Sequence, residues 1–143
     1  MKKKALFLCL VVALILCQFS TSYAKTSEGL AQESDIVPMW TLIRSVTNGL
    51  TINSSGQATM TSYISTYDGV DRVRITASLQ RRENNAWVTV KSWNQENDGT
   101  LGIWSKQWYV NKGYEYRLLT YFNAYKGASQ ESTYLVTAPK PYK

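Results

Sequence analysis

Between Arg72 and Gln80 the chain alternates without a break. Val73, Ile75, Ala77 and Leu79 take one parity, and Arg72, Arg74, Thr76, Ser78 and Gln80 take the other. Side chains on a β-strand point to opposite faces in turn, so this run predicts a strand in a sheet with one dry and one wet side. A helix needs apolar spacings of three and four, which are absent here. The same parity rule groups Ala58, Met60 and Ile64 in the preceding segment, and Tyr114, Tyr116, Leu118, Phe122 and Ala124 in a later one.

Turn signals recur at short intervals: Asn48-Gly49, Ser55-Gly56, Asp68-Gly69, Asn84-Asn85, Asp98-Gly99, Lys112-Gly113 and Lys126-Gly127. Glycine and asparagine tolerate the positive φ that tight turns require. The segments between are rich in Thr, Tyr, Val, Ile and Trp, which suit a pleated, half-buried surface. Strands are predicted near 40–53, 57–67, 70–82, 86–94, 100–110, 113–125 and 130–137. About seven short antiparallel strands in one chain of this size predict an all-β fold, a single sandwich of immunoglobulin or fibronectin type III kind. The domain is expected over 39–137, with 138–143 as a short exposed tail, because Pro139 and Pro141 cannot serve a central ladder. Two segments leave their faces undecided. Ala86 to Trp93 sets Val88 and Val90 on one parity and Trp87 and Trp93 on the other, and Leu101 to Val110 has large apolar groups on both.

The N-terminal stretch reads as a targeting segment. Lys2, Lys3 and Lys4 precede an apolar run from Ala5 to Cys17, and Ser22-Tyr23-Ala24 offers small residues where a signal peptidase cuts. The run is shorter than the roughly 20 residues needed to cross a bilayer, so residues 1–24 are expected to be cleaved, leaving no stable membrane anchor. Leu16 before Cys17 argues against lipidation. Residues 25–38 are polar and aperiodic and are read as a flexible lead-in. Both cysteines, Cys9 and Cys17, belong to the leader. An exported domain held by its core alone, without disulfides, fits Gram-positive bacterial secretion. Without the three leader lysines the chain has 13 basic against 10 acidic residues, a net of +3. That mild excess is not the basic stripe of a nucleic-acid binder, so no nucleic-acid partner is expected.

The sequence has no histidine. With no cysteine beyond the leader either, Ser-His-Asp and Cys-His devices cannot be built. A carboxylate pair is the remaining hydrolytic option. Yet Asp68, Asp71, Glu83, Glu96 and Asp98 sit in or beside predicted turns, and Glu115 lies on a polar strand face; Glu131 is the other acid of the domain. No acid has the apolar setting that raises a pKa for catalysis. A non-enzymatic protein without cofactor or metal is therefore expected. The oxygen-rich turns Asp68-Gly69-Val70-Asp71 and Asn94 to Asp98 lack a full calcium-loop pattern.

The suggestive feature is aromatic: five tryptophans, and nine tyrosines once Tyr23 leaves with the leader. Exposed planar side chains stack on sugar rings with polar groups beside them. Trp87, Trp93, Trp104 and Trp108, with Tyr121 and Tyr125 as neighbours, form a candidate platform. The competing reading places these rings in the core, where a sandwich needs large residues. Arg81-Arg82 with Lys91 suggests an anionic partner such as a wall polymer, against a solvated hairpin end.

Two stretches bring a resemblance. Val73-Arg74-Ile75-Thr76-Ala77-Ser78-Leu79-Gln80-Arg81-Arg82 leads through a polar turn to Trp87-Val88-Thr89-Val90-Lys91-Ser92-Trp93. Lys112-Gly113-Tyr114-Glu115-Tyr116-Arg117-Leu118 leads through Asn123 and Lys126-Gly127 to a Thr-rich last strand. Together, over roughly 42–137, they resemble an uncharacterised family of small secreted Gram-positive proteins, a domain of unknown function. The Gly-x-Tyr-x-Tyr pattern also resembles the start of the penultimate strand of fibronectin type III sandwiches. That resemblance implies a corner tyrosine whose hydroxyl bonds back to the main chain. The expectation is a secreted binding or interaction protein whose partner is an unknown extracellular protein or a cell-wall polysaccharide. The alternatives are a carbohydrate-binding module using exposed aromatics and a secreted toxin or bacteriocin-like protein.

Overall fold

The computed structural model describes residues 39–143, so the expected leader (1–24) and lead-in (25–38) lie outside the described residues. Eight strands follow in order: β1 (Ile43–Ile52), β2 (Gln57–Thr66), β3 (Arg72–Glu83), β4 (Ala86–Asp98), β5 (Leu101–Tyr109), β6 (Tyr114–Lys126), β7 (Ser129–Val136) and β8 (Lys140–Tyr142). They form two antiparallel sheets: β1-β2-β5, and β4-β3-β6-β7 with β8 also on β6. The chain crosses between sheets at β2–β3, β4–β5 and β5–β6, the Greek-key connectivity of an immunoglobulin/fibronectin type III-like sandwich.

The alternation of β3 is realised as read. Val73, Ile75, Ala77 and Leu79 are all buried, and they meet Ala58, Met60 and Ile64 of β2, Trp104 of β5 and Tyr116, Leu118, Phe122 and Ala124 of β6. Two polar side chains cross the same core: the hydroxyls of buried Ser62 and Thr120 bond to each other at 3.1 Å. Pairing satisfies both, so neither incurs the cost of an orphaned buried polar group. The corner tyrosine is Tyr116, whose hydroxyl donates to Asn111 O at 2.9 Å and accepts from Asn111 N at 3.1 Å.

Six of the seven turn signals join strands. At Asn84-Asn85 both residues have positive φ, 47° and 65°, which makes the two-residue β3–β4 loop a hairpin matched to strand twist. Asn48-Gly49 departs from expectation and lies inside β1. Asn48 faces the other sheet and its amide donates to Leu135 O at 3.1 Å. This asparagine serves as an inter-sheet clasp, a use that turn chemistry does not reveal.

The C-terminus adds to the reading. The segment 138–143 is exposed except at Tyr142, but Lys140–Tyr142 also pairs with Tyr114–Tyr116, and Tyr142 is half-buried against the core. Its carbonyl accepts from Gly113 N at 2.8 Å. An edge strand is bonded on one side only, so Pro141 can direct its missing donor to solvent. The buried Gly56, with φ at 81°, lies where a Cβ would strike the Tyr142 ring at 2.9 Å.

Candidate functional site: the outer face of the larger sheet

Parity assigns each aromatic ring to a surface, and one irregularity decides the outcome. The β3–β4 register shifts between Leu79 and Gln80, so Lys91 pairs with Leu79 and Thr89 with Gln80, leaving Val90 bulged. A bulge reverses the faces beyond it. Trp93, opposite Ala77, therefore points inward, whereas Trp87, opposite Arg82, points outward. The sequence parity had placed these two on one face.

The six candidate rings consequently divide into two groups. Trp93 packs against Trp104 at 5.6 Å and Trp108 at 5.9 Å between centroids, closing the side of the sandwich where edge strands β4 and β5 meet. Trp104 is buried; Trp108 is 40 % exposed, with the Lys91 ammonium 5.5 Å from its ring. These three belong to the core and its margin. The undecided faces of β4 and β5 are thereby settled: Trp93, Trp104 and Trp108 turn inward, while Leu101, Ile103 and Tyr109 are exposed.

Trp87, Tyr121 and Tyr125 are on the outer face of the five-stranded sheet. Tyr121 is joined there by Tyr134 of β7, directly opposite in register, with ring centroids 5.7 Å apart and planes tilted by 44°. Both are well exposed, and Tyr134 was not among the candidates. Period-two reading of 130–137 would have found it, sharing a parity with Ser132 and Val136. Tyr125 is 4.5 Å from the Arg72 guanidinium, and Trp87 is 4.3 Å from that of Arg117. Tyr121 and Tyr125 are four residues apart on β6, about 13 Å along the strand.

Short polar side chains fill the space between the rings. Ser78 and Ser92 share a hydrogen bond of 2.8 Å. Asn123 Oδ1 accepts from Ser132 Oγ at 2.6 Å and from Gln130 Nε2 at 3.1 Å. Beside Tyr121 in register, Arg74, Thr76, Asn94, Gln95 and Glu96 line a shallow hollow of about 370 Å³. A second open hollow, about 460 Å³, is at the β3–β4 turn and is bordered by Arg82, Tyr114 and Glu115. The face is thus a plane of aromatic rings set among hydroxyls and amides.

Five of the carboxylates have structural partners. Glu83 pairs with Arg81, Glu96 with Arg74 and Glu115 with Arg82. The hydrogen bond and charge of Glu96 hold Arg74 still more firmly protonated. The Arg81-Arg82 pair is therefore neutralised by Glu83 and Glu115. Asp71 accepts from Gly127 N, tying the β6–β7 turn. Glu131 accepts from the main chain of Thr41, Leu42 and Ile43. Among the described residues, no three of His, Cys, Asp or Glu come together as a metal-holding group.

No protein-family model, curated protein or solved structure gives a significant match to this chain.

Proposed function

We propose that this is a secreted, non-enzymatic binding protein that holds a glycan on the outer face of its five-stranded sheet. The observation that supports this reading most is the exposed Tyr121–Tyr134 pair, set among Ser, Thr, Asn and Gln side chains, with Tyr125 and Trp87 farther along the same face. Sugars present apolar C–H faces and a rim of hydroxyls, and aromatic rings beside amides and hydroxyls answer both. A flat, open face suits an extended polysaccharide better than a small molecule, which needs an enclosing cleft. Single exposed tyrosines would need no explanation; two in contact on a face that also has Tyr125 and Trp87 among its polar groups do.

Retention of the purified protein on insoluble peptidoglycan, chitin and cellulose tests the proposal. Retention on one of these, reduced about tenfold in Tyr121→Ala or Tyr134→Ala with the circular dichroism unchanged, supports it. Equal retention of both variants would remove the face from consideration.

A further inference from the structure

The outer face has four guanidinium groups, and they differ in what neutralises them. Arg74 pairs with Glu96, and Arg82 with Glu115. Arg72 and Arg117 have no carboxylate within ion-pair reach among the described residues. Each instead lies over a ring, Arg72 over Tyr125 at 4.5 Å and Arg117 over Trp87 at 4.3 Å. Arg117 is also held from the side, its Nε donating to Gln80 Oε1 at 2.8 Å. Stacking on the ring and the bond to Gln80 fix the plane of this guanidinium while its two terminal nitrogens find no acceptor among the described residues. A guanidinium so fixed is set up for a two-oxygen anion, because its donors match a carboxylate or phosphate edge and little conformational freedom is left to lose.

Their placement adds a length. In register Arg72 opposes Tyr125 and Arg117 opposes Gln80, so the two cations bracket the β3–β6 ladder. Eight residues of β3 separate the two rows, roughly 27 Å at strand spacing. The Tyr121–Tyr134 pair lies between them, in the row of Thr76.

We infer that the ligand of this face is a linear acidic glycan, with carboxylate or phosphate groups bound by Arg72 and Arg117 while sugar rings stack on Tyr121 and Tyr134. The inference rests on the glycan-binding reading above and specifies its substrate class. It moves the basic contact away from Arg81 and Arg82, whose charges are already met.

Binding of the purified protein to polygalacturonate, phosphomannan and neutral cellohexaose, measured by calorimetry at low and high salt, tests it. One acidic probe should bind at least about tenfold more tightly than the neutral one, and the preference should fade as salt screens the charges. Whether polygalacturonate or phosphomannan is preferred tells carboxylate from phosphate. Arg72→Gln and Arg117→Gln should each weaken the acidic probe about tenfold and the neutral one less than twofold. Arg72 is exposed, so its variant decides the matter should loss of the Gln80 bond unfold Arg117→Gln. Equal affinity for acidic and neutral probes, or arginine variants that bind as well as the parent, would overturn the inference and leave the sheet-face reading standing. Failure of all three probes, with retention on insoluble polymers also indifferent to Tyr121→Ala, would overturn both.

Discussion

Removing the Glu131 side chain should loosen the start of β1, and the effect should depend on pH. The carboxylate receives three consecutive main-chain donors, Thr41 N at 2.9 Å, Leu42 N at 2.8 Å and Ile43 N at 2.6 Å. It thereby ties β7 of one sheet to the entry into β1 of the other. Ile43 is fully buried, so its N–H cannot turn to water when the acceptor is removed. Hydrogen bonds to a charged group contribute about 1.5–3 kcal/mol each, and three on one carboxylate share that benefit rather than adding. Glu131→Ala is therefore expected to cost about 2–4 kcal/mol, read as a lower denaturation midpoint in urea. Burial pushes the Glu131 pKa up, but the main-chain donors together outweigh it and leave the group below its usual value. A carboxylate depressed in the folded state contributes stability above its unfolded pKa, about 4.3, and loses it as pH falls through the folded value. The stability difference between the parent and Glu131→Gln should thus be full at pH 7 and shrink below about pH 4, while other acids titrate equally in both and cancel. A difference that stays constant from pH 7 to pH 3, or a Glu131→Ala cost below about 0.5 kcal/mol, would refute the reasoning.

Other perturbations follow from the same geometry. At Gly102 a Cβ would stand 2.9 Å from both Ile64 Cγ2 and Val73 Cγ2, so Gly102→Ala should destabilise by about 1–3 kcal/mol in urea denaturation. Tyr116→Phe keeps the ring but strips the corner bonds to Asn111, and about 1–3 kcal/mol should be lost without a change in secondary structure. Trp104→Ala removes the buried member of the tryptophan cluster and should cost about 3–5 kcal/mol, with a shift in the emission of neighbouring Trp93.

The sequence discloses the sandwich because its signals are local. The parity of Arg72–Gln80, the paired asparagines after Glu83 and the Gly113-Tyr114-Glu115-Tyr116 pattern each specify a strand, a turn or a corner by nearest-neighbour stereochemistry. What parity misses is set by tertiary register. A single bulged residue, Val90, separates Trp87 from Trp93 and divides the expected platform between the surface and the core margin. Asn48-Gly49 has turn chemistry but satisfies its amide across the two sheets. The prolines near the end exclude a central strand, yet β8 is an edge strand, where one missing donor costs nothing. Half of the candidate rings, Trp87, Tyr121 and Tyr125, reach the proposed face, and Tyr134 completes it from the opposite strand. Which cations lack an ion pair among the described residues was hidden for the same reason, since the partners of Arg74 and Arg82 are chosen by strand register, Glu96 across the β3–β4 hairpin and Glu115 on β6.

The most direct test of the proposed glycan-binding face is a nuclear magnetic resonance titration of the isotope-labelled protein with soluble oligosaccharides of chitin, cellulose and polygalacturonate. Amide shifts for at least one of them should concentrate in residues 72–80, 117–125 and 130–136, with the Trp87 indole signal moving and that of Trp104 still. Shifts confined to the three-stranded sheet, or no shift with any of the three at millimolar concentration, would contradict the assignment of this face.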